Sequence, residues 1–530
     1  EPTKAPSAPD MVTVTELDGA LRLSWKASKG ATYYKVYYAE GDTGFRQLEG
    51  SLSTTNTNIA GLKNGTTYSV YVVSGNSAGE SGPSRVYQGT PMAVSYERPA
   101  GIPTEGVLDY TAIDKIWLAA EYNVSPTEYS SENPFKPENM ADGDYSTHWT
   151  AHPNWWNSKQ VLCTFKQPQD ISSVIWVPRL DGSYASNLRV YTVTVWQEGD
   201  DLNGPGHVVA PNPAHVDASQ VNNWLPVKGN PSVSKFAVLP IEPTKNVVKL
   251  AVTIEQQAYT TVSLSELMFL EYDETRCLPD QIDALFADEL HLQLAASVNQ
   301  AEIDVLRARL VGDEKNYYLN LDTMEDELKL AEELLAGTSQ GAIINGIDSC
   351  SAAADSAKYS QSGSELQPLG VAAKAGQTIT VYASGIPDGQ TVQVHASQFN
   401  AEASTWRASM GTLQNGKNIL VVPKIGSQNT SRGGSLYLTY SGTDAENIRL
   451  HIRRATDIPL LELSDWYEMT EDARRTEIAA YVDELIAYPG KAGVNSANEQ
   501  TYCLNVTELS LPGVLLSLPA QSVLTGTGYT

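Results

Sequence analysis

Ala141-Asp-Gly-Asp-Tyr-Ser-Thr-His-Trp149 gathers two carboxylates and a hydroxyl around a glycine and ends on a tryptophan. Hard oxygen donors on a tight, glycine-containing loop suit calcium. The competing reading is a loop held by its own Asx turns. Further along stand Val177-Pro-Arg-Leu-Asp-Gly182 and the alternating run Tyr191–Trp196. Val248, Leu250, Val252 and Ile254 then recur at every second residue, and Leu264-Ser-Glu-Leu267 follows. A period of two puts one side of each run on a core face. Residues 94–273 therefore predict a β unit with the acidic loop in its first half.

In this order the pieces resemble the discoidin, or coagulation factor 5/8 type C, domain. Its relatives in secreted bacterial enzymes are the family 32 carbohydrate-binding modules. The resemblance implies a jelly-roll over residues 93–275. It also implies a structural calcium held by Asp142, Asp144 and Thr147, closed by Glu266, with loop carbonyls such as that of Asn139 helping. A sugar site would occupy the neighbouring loops, with His152, Trp155, Trp156 and Asn157 on one and Arg179, Asp181 and Asn187 on the next. Sugar recognition needs an aromatic plane for the C–H face and planar donors for the hydroxyls, and this set offers both. Neighbours in a strand point opposite ways, so one of Trp155 and Trp156 is expected in the core and the other outside.

Residues 1–92 read as another sandwich, with short alternating strands and frequent turn signals. Tyr34, Val36 and Tyr38 share a face, as do Tyr68, Val70 and Val72, and Leu21-Arg-Leu-Ser-Trp25 supplies a bulky anchor. Leu62-Lys-Asn-Gly-Thr-Thr-Tyr68 places a tyrosine just after a turn, the position of a tyrosine corner. With Asn76-Ser-Ala-Gly-Glu-Ser-Gly-Pro83, these features resemble a fibronectin type III domain.

Residues 276–338 change to a helical pattern and predict a small acidic connector. Asn299 and Glu302 have capping-box spacing, and the stripe Ile303, Leu306, Leu310 stops at Gly312. Asp322 and Glu325 repeat the signal, with Met324, Leu328, Ala331 and Leu335 as the stripe and Gly337 as the stop. Pro279–Leu294 reads as a third helix.

From residue 339 the alternation returns, in Ile379/Val381, Val392/Val394 and Ile448/Leu450/Ile452, with Asn415-Gly416 as a hairpin turn. Thr470–Tyr488 reads as a helix with Ile478, Val482 and Leu485 on one face and Pro489-Gly490 as its stop. Gly370–Tyr382, Gly-Gly-Ser-Leu-Tyr-Leu438, Ile448–Ile452 with Ile458-Pro-Leu-Leu, and Leu504–Ala520 together resemble the front part of enhancin-like, mucin-directed zinc metallopeptidases. By that resemblance, 339–458 is a β-sandwich leading the peptidase domain, and 459–530 is the start of an α/β peptidase region. The expected fold class is mostly β and multidomain.

Catalytic motifs are missing from the sequence itself. Two zinc ligands one helical turn apart with a glutamate base between them spell His-Glu-x-x-His. None of the seven histidines, 148, 152, 207, 215, 291, 395 and 451, precedes a glutamate. His148 and His152 have the spacing, but Trp-Thr-Ala lies between them and Pro153 follows. Gly75-Asn-Ser-Ala-Gly79 spells a nucleophile elbow without its strand-to-helix context. Gly411–Lys417 spells most of a phosphate loop, but Asn418 replaces the Ser or Thr that would hold magnesium.

Composition narrows the partners. With 36 Lys and Arg against 62 Asp and Glu, the 530-residue chain carries a net charge of −26, which argues against nucleic acid. Its 41% apolar content argues against an acidic disordered chain, and no apolar run approaches the roughly 20 residues a bilayer needs. The chain begins at Glu1 with no signal segment and reads as a mature or trimmed product. Cysteines at 163, 277, 350 and 503 match no zinc-knuckle or CxxC spacing, and their pairing is left open.

The sequence as a whole reads as the glycan-targeting, accessory N-terminal region of a secreted or cell-surface bacterial zinc metallopeptidase acting on mucin-type or other glycoproteins. Its expected partners are glycans on host glycoproteins or mucins, with zinc only in a downstream catalytic domain. It is expected to be monomeric, elongated and without a transmembrane segment. The alternative is a surface adhesin with no protease activity.

Overall fold

The computed structural model describes residues 4–93, 96–119, 136–150, 159–180, 188–210, 214–215, 236–257, 263–338, 341–349, 366–397, 407–425, 433–492, 502–512 and 514–526. The chain is mostly β, with several separate sheets. It divides into two compact units, Glu1–Cys277 with Glu314–Leu319, and Leu278–Asp313 with Asn320–Thr530.

The first unit begins with a two-sheet sandwich. Asp10–Leu17, Ala20–Lys26 and Asn56–Ala60 form one sheet. Arg46–Gln47, Tyr33–Glu40, Tyr68–Asn76 and Gly79–Glu80 form the other, with Tyr87–Gly89 paired to Tyr68–Asn76. Alternation does the packing: Leu21, Leu23 and Trp25 turn inward from one strand against Tyr34, Val36, Val70 and Val72. Trp25 meets Tyr34 edge-on, ring centroids 5.4 Å apart. The Lys63 backbone N–H donates to the Tyr68 hydroxyl at 3.1 Å, which makes the tyrosine corner. Tyr68→Phe removes that bond and is expected to cost this sandwich about 1 kcal/mol, read as a lower urea midpoint. The Gly75–Gly79 run is a hairpin end, where Asn76 Oδ1 accepts the Ala78 N–H at 2.8 Å, so its serine is a turn residue.

Next comes an antiparallel β domain built on two long strands, Lys159–Pro178 and Ala237–Gln257, paired with each other. The first half of Lys159–Pro178 also pairs with Ile113–Ala119, and its second half with Ser263–Glu271. Leu188–Gln197 lines the other side of Ala237–Gln257. Trp149, Trp176, Tyr191 and Phe269 fill the core. One expectation fails here. Leu250, Val252 and Ile254 face that core, but Val248 packs with Leu162 and Trp196 on the opposite side, and Val247 takes its place inside. The register shifts between Trp196↔Lys249 and Gln197↔Val247, so the extra residue of a bulge reverses the alternation.

The second unit opens with three helices, α1 (Leu278–Asp283), α2 (Gln300–Val311) and α3 (Leu321–Leu335). In α2 the Asn299 side chain accepts the Glu302 N–H at 3.3 Å, and Ile303, Leu306 and Leu310 are buried. The expected helix Pro279–Leu294 stops at Asp283. Asp288 competes for the backbone, accepting the N–H groups of Leu290, Leu292 and Gln293. Asp322 does not cap α3: it lies within the helix, and Asn320, in left-handed conformation, precedes it. Leu335 is exposed, while Glu327 is buried on the apolar stripe.

A sandwich follows. Ala342–Asn345, Arg449–Arg453, Thr378–Ser384 and Gly416–Val421 make one sheet. Arg407–Leu413, Val392–Ser397, Gly434–Thr439, Gln367–Ala373 and Thr456–Asp457 make the other. Ile379, Val381, Val392, Val394, Ile448, Leu450 and Ile452 form its centre. Asn415-Gly416 does not close a hairpin, because the strands on either side belong to different sheets. The Asn415 side chain instead bonds both the N–H and the C=O of Ile386, each at 2.9 Å, which braces a crossover.

Last, Leu460–Glu462 pairs parallel with Thr507–Leu511, which pairs antiparallel with Val514–Leu518. The helix Glu471–Ala492 packs through Tyr481, Leu485 and Tyr488, while Ile478 is exposed. It runs through Pro489 rather than stopping there.

Candidate functional site

The acidic loop is locally self-consistent. Asn139 lies on a short 3-10 turn, Pro137–Ala141, and its Nδ2 donates to the His148 carbonyl at 3.0 Å. Asp142 Oδ1 accepts the Asp144 N–H at 2.9 Å, and Oδ2 accepts the Thr147 hydroxyl at 2.8 Å. Asp144 Oδ1 accepts from the Ser146 N–H at 2.9 Å and the Ser146 hydroxyl at 2.5 Å. These bonds hold the Asp144 carboxyl below its ordinary range. Gly143 has φ +76°, and a Cβ there would stand 3.4 Å from the Tyr110 ring, so the turn requires glycine.

Asx turns account for the loop but not for what lies behind it. Trp149↔Leu264 and Thr150↔Ser263 tie the loop's exit to the strand Ser263–Glu271, which brings Glu266 close to Asp142. Glu266 is fully buried, and neither of its carboxylate oxygens makes a well-formed hydrogen bond, although the Tyr110 hydroxyl and the Gly143 N–H lie near enough to act on it. Burial pushes its pKa up to about 8, and the negative charge of Asp142 adds to the rise. Tyr110 and Gly143 act in the opposite direction. Tyr110 and Tyr145 are themselves raised, first by burial and then by the charge of Glu266.

A bare buried carboxylate is costly unless a cation or a proton neutralises it. The donor set here, carboxylates with a hydroxyl and loop oxygens, is of the hard type that calcium takes. Asn139, Asp142, Asp144, Thr147 and Glu266 are the residues that would hold such an ion. Sequence reading missed Tyr110 and Tyr145, since nothing in their spacing marks them as walls of this site.

Of the expected sugar residues, only Arg179 is described. It is half-buried just past the strand Lys159–Pro178. Val177 pairs with Glu266, so Arg179 stands two residues beyond the rung that carries the buried carboxylate. His152, Trp155, Trp156, Asn157, Asp181 and Asn187 lie outside the described residues. Cys163, Cys277 and Cys503 are buried, and burial pushes the Cys163 thiol up to about 12. Among the described residues no helix is long and apolar enough to cross a membrane.

Among curated proteins none matches the sequence. Several solved structures resemble the chain. One holds the CBM32-1, CBM32-2 and M60 catalytic domains of ZmpB from Clostridium perfringens, at 14% identity and TM-score 0.33, covering 96% of this chain and 59% of that one. A second is the M60 catalytic domain of Clostridium perfringens ZmpC in complex with the sialyl T antigen, at 23% identity, TM-score 0.28 and 36% of each chain. A third, the CBM32-1 and CBM32-2 domains of ZmpB with GalNAc, has 13% identity and TM-score 0.26, covering 66% of this chain and 89% of that one. This chain thus spans 59% of the first structure's length and 36% of the second's. Residues 5–90 match the family model of the fibronectin type III domain.

Proposed function

We propose that the chain is a calcium-stabilised, glycan-binding region that accompanies a zinc metallopeptidase acting on mucin-type or other glycoproteins. The observation that carries the reading is Glu266, fully buried and without a well-formed hydrogen bond at either oxygen, beside the Asp142–Thr147 loop. A loop held only by Asx turns has no use for that carboxylate, whereas a cation does. Calcium there would fix the loop that leads into His152, Trp155 and Trp156. Arg179 would then meet sugar hydroxyls beside an aromatic face, with Asp181 and Asn187 completing the contacts. Galactose-type or N-acetylhexosamine termini suit this set.

Binding of one sugar at one site is expected to be weak. On a glycan-dense surface that suffices, because tethering raises local concentration without new contacts. A glycan array probed with the 530-residue chain in calcium should retain such termini. An array with no bound glycan would overturn the glycan reading.

Bond cleavage is not assigned to these residues. No histidine precedes a glutamate, so the usual ligand-and-base helix cannot be built from this sequence. Incubated with zinc and a mucin-type glycoprotein, the chain is expected to leave it intact. Chelator-sensitive cleavage would contradict that expectation.

A further inference from the structure

The second unit buries an ionic cluster that neither calcium nor glycan binding uses. Glu327, from α3, is fully buried. The Lys417 ammonium lies 3.0 and 3.3 Å from its two oxygens and 3.3 Å from Asp283 Oδ1. His291 Nε2 is 3.2 Å from that same Asp283 oxygen, and its Nδ1 is 3.6 Å from Glu327. The Tyr382 hydroxyl donates to Glu327 Oε1 at 3.2 Å. Aromatic walls close the cluster: the His291 ring stacks on Phe286 at 3.9 Å and on Tyr382 at 4.1 Å.

Asp283, His291 and Glu327 are placed to offer ligand atoms to a metal ion. Lys417 decides against that use, because its ammonium already stands between the two carboxylates. What the cluster does contain is an amine 3.3 Å from a carboxyl oxygen, a buried second carboxylate and an imidazole on that same oxygen. Holding an amine against one particular carboxyl group makes their encounter intramolecular, the arrangement from which proximity gains arise.

We propose that Lys417 and Asp283 condense into an intramolecular amide. Glu327 takes a proton from the Lys417 ammonium, and His291, standing between Glu327 and Asp283, delivers a proton to Oδ1, which turns the carboxylate into an acid with a hydroxyl to lose. The freed Nζ lone pair attacks Cγ of that acid. A C–N bond forms and one C–O bond breaks. Two of the three ammonium protons depart with that oxygen as water, one of them by way of Glu327, and the third remains on the amide nitrogen. Ammonium plus carboxylate thus gives amide plus water, with no oxidant or cofactor.

The starting state is an ion pair, with Lys417 held charged by its carboxylates and Asp283 held down at about 2 by His291 and Lys417 against its own burial. Condensation removes the charges of Lys417 and Asp283, and Glu327, which keeps the Tyr382 hydroxyl as a donor, then needs a proton of its own. Asp283 ends α1 and remains half-exposed, which gives the released water an exit. Lys417 is fixed on its strand opposite Tyr382. The product would staple the helices to the sandwich across more than a hundred residues of chain.

The test is intact-mass spectrometry of the full chain followed by tandem sequencing of a protease digest. The expected mass is one water below that of the sequence, with a branched peptide joining residues 283 and 417. Lys417→Arg, which keeps the charge, and Glu327→Gln should both return the full mass. Full mass in the wild type, with the two peptides recovered separately, would overturn the proposal. So would a lost water traced elsewhere, such as cyclisation at Glu1.

Discussion

Calcium added to chelator-treated protein is expected to raise the melting temperature of the domain carrying Asp142 and Glu266 by roughly 10 °C. The estimate follows from mass action, since a ligand at about 100–1,000 times its Kd adds roughly 3–4 kcal/mol to a domain of this size. Glu266→Gln should abolish the increment, and so should Asp142→Ala. The glutamine variant makes a sharper second claim. With metal removed, Glu266 holds its pKa near 8 because burial penalises the charged form. A carboxyl raised in the folded state contributes stability that is complete below its unfolded pKa and is lost as pH rises through the folded value. In chelator at alkaline pH, Glu266→Gln should therefore be more stable than the wild type, and in calcium less stable. Curves that keep one order under both conditions would count against a cation at this position.

The second large effect concerns Glu508. It lies fully buried on the strand Thr507–Leu511 and accepts the Tyr437 hydroxyl through Oε1, while Oε2 has no partner. Burial pushes its pKa up to about 7, and the hydroxyls of Tyr437 and Ser435 only partly oppose the rise. The sign again follows from a raised carboxyl: its full contribution is present below about 4.5, its ordinary value, and is lost as pH climbs through about 7. A rise of about two and a half pKa units corresponds to about 3 kcal/mol of cost at alkaline pH. Glu508→Gln keeps an acceptor for Tyr437 and cannot ionise. Its advantage over the wild type in urea unfolding should grow from near zero at about pH 4 to about 3 kcal/mol at about pH 8. A difference that stays flat with pH would mean that Glu508 carries no such burden.

The elements that could be read in advance were those in which local chemistry and burial agree. Leu21, Leu23 and Trp25 alternate and are buried, and Asn299 caps the helix its spacing announced. Where long-range contacts decide, the reading went astray. Val248 fits the alternation, yet a bulge visible only in the paired register turns it away from the main core. Asn415-Gly416 has hairpin composition, but its flanking strands find partners in different sheets. The run after Asp283 has helical composition, but one side chain, Asp288, captures its N–H groups.

The site divides in the same way. The Asp142–Thr147 loop was legible because its ligand types lie close together in sequence. Glu266 comes from family resemblance alone, since it nears Asp142 through strand pairing, Trp149↔Leu264 and Thr150↔Ser263, that sequence spacing does not show. Tyr110 carried no signal. Glu327 did carry one, as a carboxylate on the apolar stripe of α3 with Met324, Leu328 and Ala331, but its partner Lys417 lies ninety residues away in sequence.

Calorimetric titration of the 530-residue chain in calcium, with the glycan best retained on an array, is the most direct test of the account. Saturable, weak binding by the wild type is predicted, lost in Arg179→Ala while its melting curve stays unchanged. Undiminished binding by a variant lacking both Arg179 and Trp155, or no heat from any galactose-type or N-acetylhexosamine ligand, would contradict it.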